Sequence, residues 1–296
     1  MDGLIVIDKP VGPTSHDVVA RMRRVLAERR IGHTGTLDPN ASGVLPLVVG
    51  RATRLAKFLS GERKHYEAIV RLGVSTTTYD GEGAQLGARW TGPLPSRADI
   101  EGALDSFRGT FLQQPPVYSA KKIDGERSYA SARSGAAVVP APVTVTVDRL
   151  ELTGGSGEDL TLEVDCSAGF YVRSLAHDLG RMLGTGAYLS ALRRTASGKL
   201  TLEDAIPLEF AERSRDDALG ALLPLEAMLP QFDAVVLTDE GLLRALHGRN
   251  IGAGEVSSGS VHATGPIRLV DQMGQLVGIA EPTPAEGVLH PSVVLR

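Results

Sequence analysis

Apolar segments of strand length and of helix length follow one another along this 296-residue chain without a regular βαβ rhythm, and that order narrows the possible folds most. Residues 3–8 are a short continuous apolar run bounded by Lys9-Pro10 and the Gly12-Pro13 turn, the signature of a buried strand. Thr14-x-x-Asp17 then forms a capping box opening a helix expected to reach about Arg30, with Val18, Met22, Val25 and Arg29 in one row. A turn-rich loop is expected over Gly32–Gly43, a short helix after Gly50, and a strand over Tyr66–Val74. Ser96-x-x-Asp99 caps a further helix, and Val143–Leu152 and Leu160–Asp165 alternate as a hairpin does. Helices are expected over Tyr171–Leu183 and Ala218–Leu229. Beyond Pro230 short strands separated by Gly and Pro dominate, which suits a small all-β unit. The expectation is an α+β main domain with a mixed sheet over 1–230, carrying a Pro-, Ser- and Lys/Arg-rich insertion at about 113–142, followed by a β domain over 231–296.

Several classes of chemistry find no support. Cys166 is the only cysteine, which rules out an intramolecular disulfide and a Cys-rich zinc site. The seven histidines show no metal-ligand spacing, and neither a P-loop nor a G-x-S-x-G elbow is present, so neither metal nor cofactor is expected. Cys166 ends an apolar strand, where an inert buried thiol is expected rather than a nucleophile. No apolar run approaches the roughly 20 residues a membrane span requires, and no signal-peptide pattern opens the chain. A cytoplasmic protein without a membrane partner is expected.

The net charge of −4 disfavours a nucleic-acid partner only if charge is evenly spread. Residues 9–64 hold eleven Lys/Arg against four Asp/Glu, a net +7 that leaves −11 for the remainder. Such a segment is either a polyanion-binding face or a solvated basic helix face. The stretch Gly32-His33-Thr34-Gly35-Thr36-Leu37-Asp38-Pro39-Asn40-Ala41-Ser42-Gly43 lies inside it. Pro39 biases Asp38 toward extended backbone, and the glycines permit close approach of a ligand. A lone carboxylate here can be base, nucleophile or ion-pair partner, and spacing does not choose among them.

From Gly32 to Leu45 the chain resembles the G-H-x-G-T/A-L-D-P-x-A-x-G-x-L signature of TruB-type tRNA pseudouridine synthases. The resemblance extends in family order through Asp8-Lys9-Pro10-x-Gly12-x-Thr14-Ser15, Lys64-x-Tyr66, Gln113-x-Pro115-Pro116-x-Tyr118-Ser119-Ala120-x-Lys122, Cys166-Ser167-x-Gly169-x-Tyr171-x-Arg173 and Leu192-Arg193-Arg194-Thr195. Arg30 stands where the family often has Lys, and Thr77 replaces the first Asp of a T-D-T-x-D-x-x-G loop that keeps Asp80 and Gly83.

What the resemblance implies is conversion of uridine 55 in the tRNA T loop to pseudouridine by base flipping, without cofactor. Asp38 matches the catalytic aspartate and Arg173 its cationic partner. Tyr66, counted with Asp38 and Arg173 as catalytic, matches the aromatic that stacks on the flipped base and is also a candidate general base, and His33 matches the residue that fills the vacated space. Tyr171 and Leu192 match pocket walls, and Lys9, Lys64, Lys121 and Lys122 are expected on the substrate side, the latter two in a thumb that closes over the T arm. The C-terminal stretch resembles a PUA RNA-binding domain reaching toward the acceptor stem, and the family favours a monomer. The rival without chemistry is an RNA-binding module using the same basic segment.

Overall fold

A computed structural model describes residues 1–117, 122–123, 126–127 and 140–295, with Lys122–Ile123 and Glu126–Arg127 described through their backbone pairing. Strand β1 (Gly3–Lys9) and helix α1 (Ser15–Leu26) open the chain. Strands β2 (Ile31–His33) and β3 (Ala41–Val49), helix α2 (Ala56–Ser60) and strand β4 (Lys64–Leu72) follow. A two-residue ladder of β5 (Ser75–Thr76) with β6 (Gln85–Leu86) precedes α3 (Arg97–Leu104) and β7 (Gly109–Gln113). Next come the paired β8 (Lys122–Ile123) and β9 (Glu126–Arg127), the long hairpin of β10 (Val143–Ser156) and β11 (Asp159–Cys166), helix α4 (Val172–Met182) and β12 (Ala187–Ser197). Short elements close the main domain: β13 (Leu200–Thr201), β14 (Ile206–Pro207), α5 (Leu208–Arg213), α6 (Arg215–Gly220) and β15 (Leu223–Pro224).

The main sheet runs β14-β1-β3-β12-β4-β11-β10-β7, with β2, β13 and β15 attached to the side. It is mixed: β1 with β14 and β3 with β12 are parallel, and the remaining pairings are antiparallel. Period-2 alternation explains why β1 reads as unbroken apolar sequence. Ile5 and Ile7 face the core shared with α1 and α4, while Leu4 and Val6 face a second cluster. That second cluster also holds Val44, Val48 and Leu55, and it is completed from the C-terminal side by Leu276, Ile279, Val293 and Leu295. Both faces of this part of the sheet are therefore buried, one of them by the C-terminal unit.

The C-terminal unit orders β16 (Ala234–Leu237), β17 (Val256–Ser258), β18 (Ile267–Val270), β19 (Leu276–Pro282) and β20 (Leu289–Val294) as β17-β16-β18-β19-β20. It is not all-β, since α7 (Asp239–Leu246) is capped by the Thr238 hydroxyl, which accepts from the Gly241 N–H.

Four sequence expectations are corrected. Helix α1 stops at Leu26 and not near Arg30, because Ala27 takes a left-handed conformation (φ 51°) and the chain turns with Glu28 N–H donating to Arg23 C=O. The loop expected over Gly32–Gly43 shrinks to residues 34–40, since Ile31–His33 pair with Val49–Leu47 and β3 begins at Ala41. The helix expected over Ala218–Leu229 breaks at Gly220, and Leu223–Pro224 pairs with β1 before a single 3₁₀ turn at Leu225–Ala227. The +7 segment is not one basic face. Lys9 and Lys64 are buried, and Arg21, Arg51, Lys57 and Arg63 pair with Glu212, Asp2, Glu281 and Asp148. Among the described residues, no helix is long and apolar enough to cross a membrane.

Candidate active site

The loop that delivers Asp38 is fixed at several points before any substrate is considered. Ser15, buried at the start of α1, donates its hydroxyl to the Leu37 carbonyl (2.9 Å) and accepts from the Leu37 N–H (2.8 Å). Arg194, 1% exposed on β12, donates from Nε to the Val44 carbonyl (2.7 Å) and from its terminal nitrogens to the carbonyls of Thr36 (3.4 Å) and Gly35 (3.1 Å). Lys9 is fully buried, and its ammonium donates to the carbonyls of Pro10, Pro13 and Pro39 at 2.9, 2.8 and 3.4 Å. Gly43, paired with Arg194 across β3 and β12, has φ +102°, and a Cβ there would lie 2.1 Å from the Arg194 carbonyl oxygen. Only glycine allows the two strands this approach.

Opposite this loop, α4 presents Arg173 from its first turn. Arg173 Nε lies 2.9 Å from Asp38 Oδ2, and a terminal nitrogen lies 3.5 Å from Asp80 Oδ2 and donates to the Thr78 carbonyl at 3.2 Å. Arg173 and Asp80 are buried, whereas the Asp38 side chain is 40% exposed toward the cavity. Asp80 is oriented by the Thr78 hydroxyl and the Glu82 N–H, which both donate to its Oδ1. The α4 N-terminus adds positive potential on the side where Asp38 sits. Just before it, buried Gln113 accepts from the Tyr171 N–H (2.8 Å) and donates to the Tyr171 carbonyl (3.0 Å), fixing how the chain enters the helix.

A cavity of about 360 Å³ lies between these walls, lined by Asp38, Lys64, Tyr66, Tyr171, Arg173, Leu192 and Arg194 among others. Tyr66 and Arg194 are register partners across β4 and β12, so ring and guanidinium stand in one row of the sheet. Burial pushes the Tyr66 phenol above its ordinary range, with the Arg194 guanidinium opposing that shift. The phenol therefore stays protonated at neutral pH, available as a ring and a hydrogen-bonding group. Lys64 donates to the Glu62 carbonyl (2.5 Å), and burial brings its ammonium down to about 8. Lys9 is likewise lowered to about 8 by burial, opposed by the negative charge of Asp38.

The structure thus brings Asp38, Tyr66, Arg173, Tyr171, Leu192 and Lys64 around one cavity. His33 stands on β2 edge-to-face with His16, ring centroids 5.2 Å apart, outside the cavity lining. Lys9 sits beneath the Asp38 loop with its ammonium on carbonyls, outside the cavity lining. Lys121 lies outside the described residues, as does the side chain of Lys122. Cys166 is fully buried and its thiol is pushed up to about 12, which leaves it inert. Sequence reasoning did not single out Ser15, Asp80, Gln113 or Arg194 as site residues. Each falls inside a stretch that matches the family, and that was the signal available.

The family model described as "TruB family pseudouridylate synthase (N terminal domain)" matches residues 23–172, and "tRNA pseudouridylate synthase B C-terminal domain" matches residues 173–230. A tRNA pseudouridine synthase B of Solibacter usitatus (strain Ellin6076) is 44% identical over 297 residues, covering 100% of both chains. That of Burkholderia mallei (strain NCTC 10247) is 42% identical over 293 residues, 98% of this chain and 96% of the relative. Among solved structures, a Cbf5-Nop10-Gar1 complex is matched with TM-score 0.74 and 27% identity, covering 99% of this chain and 85% of that one. An H/ACA RNP bound to a substrate RNA containing 2′-deoxyuridine is matched with TM-score 0.72 and 25% identity, with coverage of 99% and 85%. The fold is thus shared with these solved structures over nearly the whole chain. The chain belongs to the TruB family of pseudouridylate synthases.

Proposed function

We propose that this protein isomerises uridine 55 in the T loop of tRNA to pseudouridine, with Asp38 as the carboxylate that acts on the nucleoside. The observation that carries the reading is the Asp38–Arg173 ion pair at the mouth of the cavity, its carboxylate half-open to an incoming base. The reaction breaks the N1–C1′ bond, turns the uracil within the pocket and joins C5 to C1′; the C5 proton is lost and N1 ends protonated. Attack on C1′, addition to uracil C6 and elimination to a glycal all require a carboxylate directed at the nucleoside, and the Arg173 guanidinium 2.9 Å away fixes the direction of Asp38.

A uridine stacked in a folded loop must leave the stack to reach Asp38, at a cost of a few kcal/mol. The Tyr66 ring and the side chains of Tyr171 and Leu192 offer the apolar surface that offsets this cost, and Lys64 supplies a cation at the cavity wall. Lys9 acts through the loop it holds. His33, close to the cavity but outside it, is suited to the RNA left behind by the flipped base. We assign residues 231–296 to recognition of the acceptor stem, Lys121 and Lys122 to phosphate contacts of the thumb, and the protein to the cytoplasm as a monomer. The test is carbodiimide–primer extension on unmodified tRNA treated with wild type and with Asp38→Asn. A stop at position 55 with wild type alone is expected; a stop elsewhere, or an equal stop with Asp38→Asn, overturns the reading.

A further inference from the structure

Arg173 is held on its far side by the loop that carries Thr78 and Asp80, so whatever holds that loop sets the direction of the guanidinium. Tyr79, between those two residues, adopts φ +66°, a conformation that L side chains with bulk at Cβ adopt rarely. Both of its backbone groups are bonded, the N–H to the Thr76 carbonyl at 3.3 Å and the carbonyl to the Leu189 N–H at 2.9 Å, but these bonds tie the loop to itself and to β12, not to α4. Its ring lies flat on the imidazole of His177, with centroids 3.8 Å apart and planes 14° from parallel. His177 follows Arg173 by four residues on α4, which puts both side chains on one face of the helix. Helix and loop therefore touch twice along that face, once through charge at Arg173 and once through stacked rings one turn further on.

We propose that the Tyr79–His177 stack is a positioning device for catalysis: it clamps residues 78–80 to α4, and thereby keeps Asp80 and the Thr78 carbonyl on the far side of the Arg173 guanidinium and its Nε directed at Asp38. The stack holds the strained backbone of Tyr79 in place, a strain that turns Thr78 and Asp80 inward together. Neither ring is among the residues lining the main cavity, so neither touches the reacting base. The proposal rests on the assignment of Asp38 as the acting carboxylate.

The test measures single-turnover release of tritium from [5-³H]uridine tRNA at saturating enzyme, alongside the tRNA dissociation constant. Tyr79→Gly removes the ring while accepting the positive φ without strain, so it separates stacking from backbone conformation. Tyr79→Gly and His177→Ala are each expected to slow the saturated rate by about 10- to 100-fold with tRNA affinity unchanged. Tyr79→Phe restores the rate because the stack needs a ring and not a hydroxyl, and the double variant Tyr79→Gly/His177→Ala is no slower than either single one. A wild-type rate in Tyr79→Gly, an equal loss in Tyr79→Phe, or a loss seen only in affinity overturns the proposal. Asp38→Asn is run in the same assay. If it turns over at the wild-type rate, the assignment of Asp38 fails; if it is inactive while Tyr79→Gly is normal, the stack alone fails.

Discussion

On the helix wall of the cavity Arg173 lies between two carboxylates, Asp38 and Asp80, whereas on the sheet side Arg194 and Lys64 in the lining, and Lys9 beneath the Asp38 loop, direct their charge at backbone carbonyls. A carboxylate compensates a buried cation with opposite charge; a carbonyl offers only a dipole. The consequence is visible in the lysines, both brought down to about 8 by burial. The helix wall is thus built for charge balance around Asp38, and the sheet wall for fixing the carbonyls of the loop that delivers it.

Removing Arg173 strikes the charge-balanced wall and has the largest expected effect. Arg173→Met leaves buried Asp80 without its cation and is expected to cost about 3–5 kcal/mol in urea unfolding. Adding Asp80→Asn should recover part of that loss; no recovery would mean that Asp80 is not held by charge. Arg194→Met strips the donors from two loop carbonyls and from that of Val44 on β3, with an expected cost of about 1–3 kcal/mol. Here no carboxylate substitution should rescue, and recovery by Asp38→Asn would erase the distinction between the walls.

The smallest effect is a pH dependence. Unfolded lysine keeps its proton to 10.5, while Lys9 in the fold keeps it to about 8. Between those values the unfolded chain binds more protons, so this source of stability grows as pH rises. Lys9→Met should reduce the pH dependence of the urea midpoint from pH 8 to 10, leaving the part that Lys64 supplies. An unchanged slope would place the lowered lysine elsewhere.

Much of this architecture was legible where local signals agree. The capping boxes at Thr14–Asp17 and Ser96–Asp99 are both formed, and β1, the β10–β11 hairpin and α4 lie where periodicity put them. The central strand β12 was not legible. Its buried positions include Arg194 and Ser197, and two register shifts against β4 break the alternation that marks a strand. Nor did Ala27 announce a helix end, since a left-handed C-cap is a signal one reads from glycine.

The site was legible in part for a similar reason. Asp38, Tyr66 and Arg173 are 28 to 135 positions apart, and only the family signature joined them before strand pairing did. The residues that hold the Asp38 loop use side chains against backbone carbonyls, an interaction that leaves no spacing to read. The family match placed Lys9 on the substrate side, and the fold buries its ammonium on the carbonyls of Pro10, Pro13 and Pro39. In the +7 segment Arg21, Arg51, Lys57 and Arg63 pair with carboxylates of the fold, whereas Arg24 and Arg29 stay exposed.

The central claim is that Asp38, oriented by Arg173, performs the chemistry and does not merely help to bind RNA. Single-turnover conversion of unmodified tRNA by Asp38→Asn at saturating enzyme, measured together with its tRNA dissociation constant, tests it most directly. The account predicts loss of pseudouridine formation with affinity essentially unchanged; conversion at the wild-type rate would contradict it.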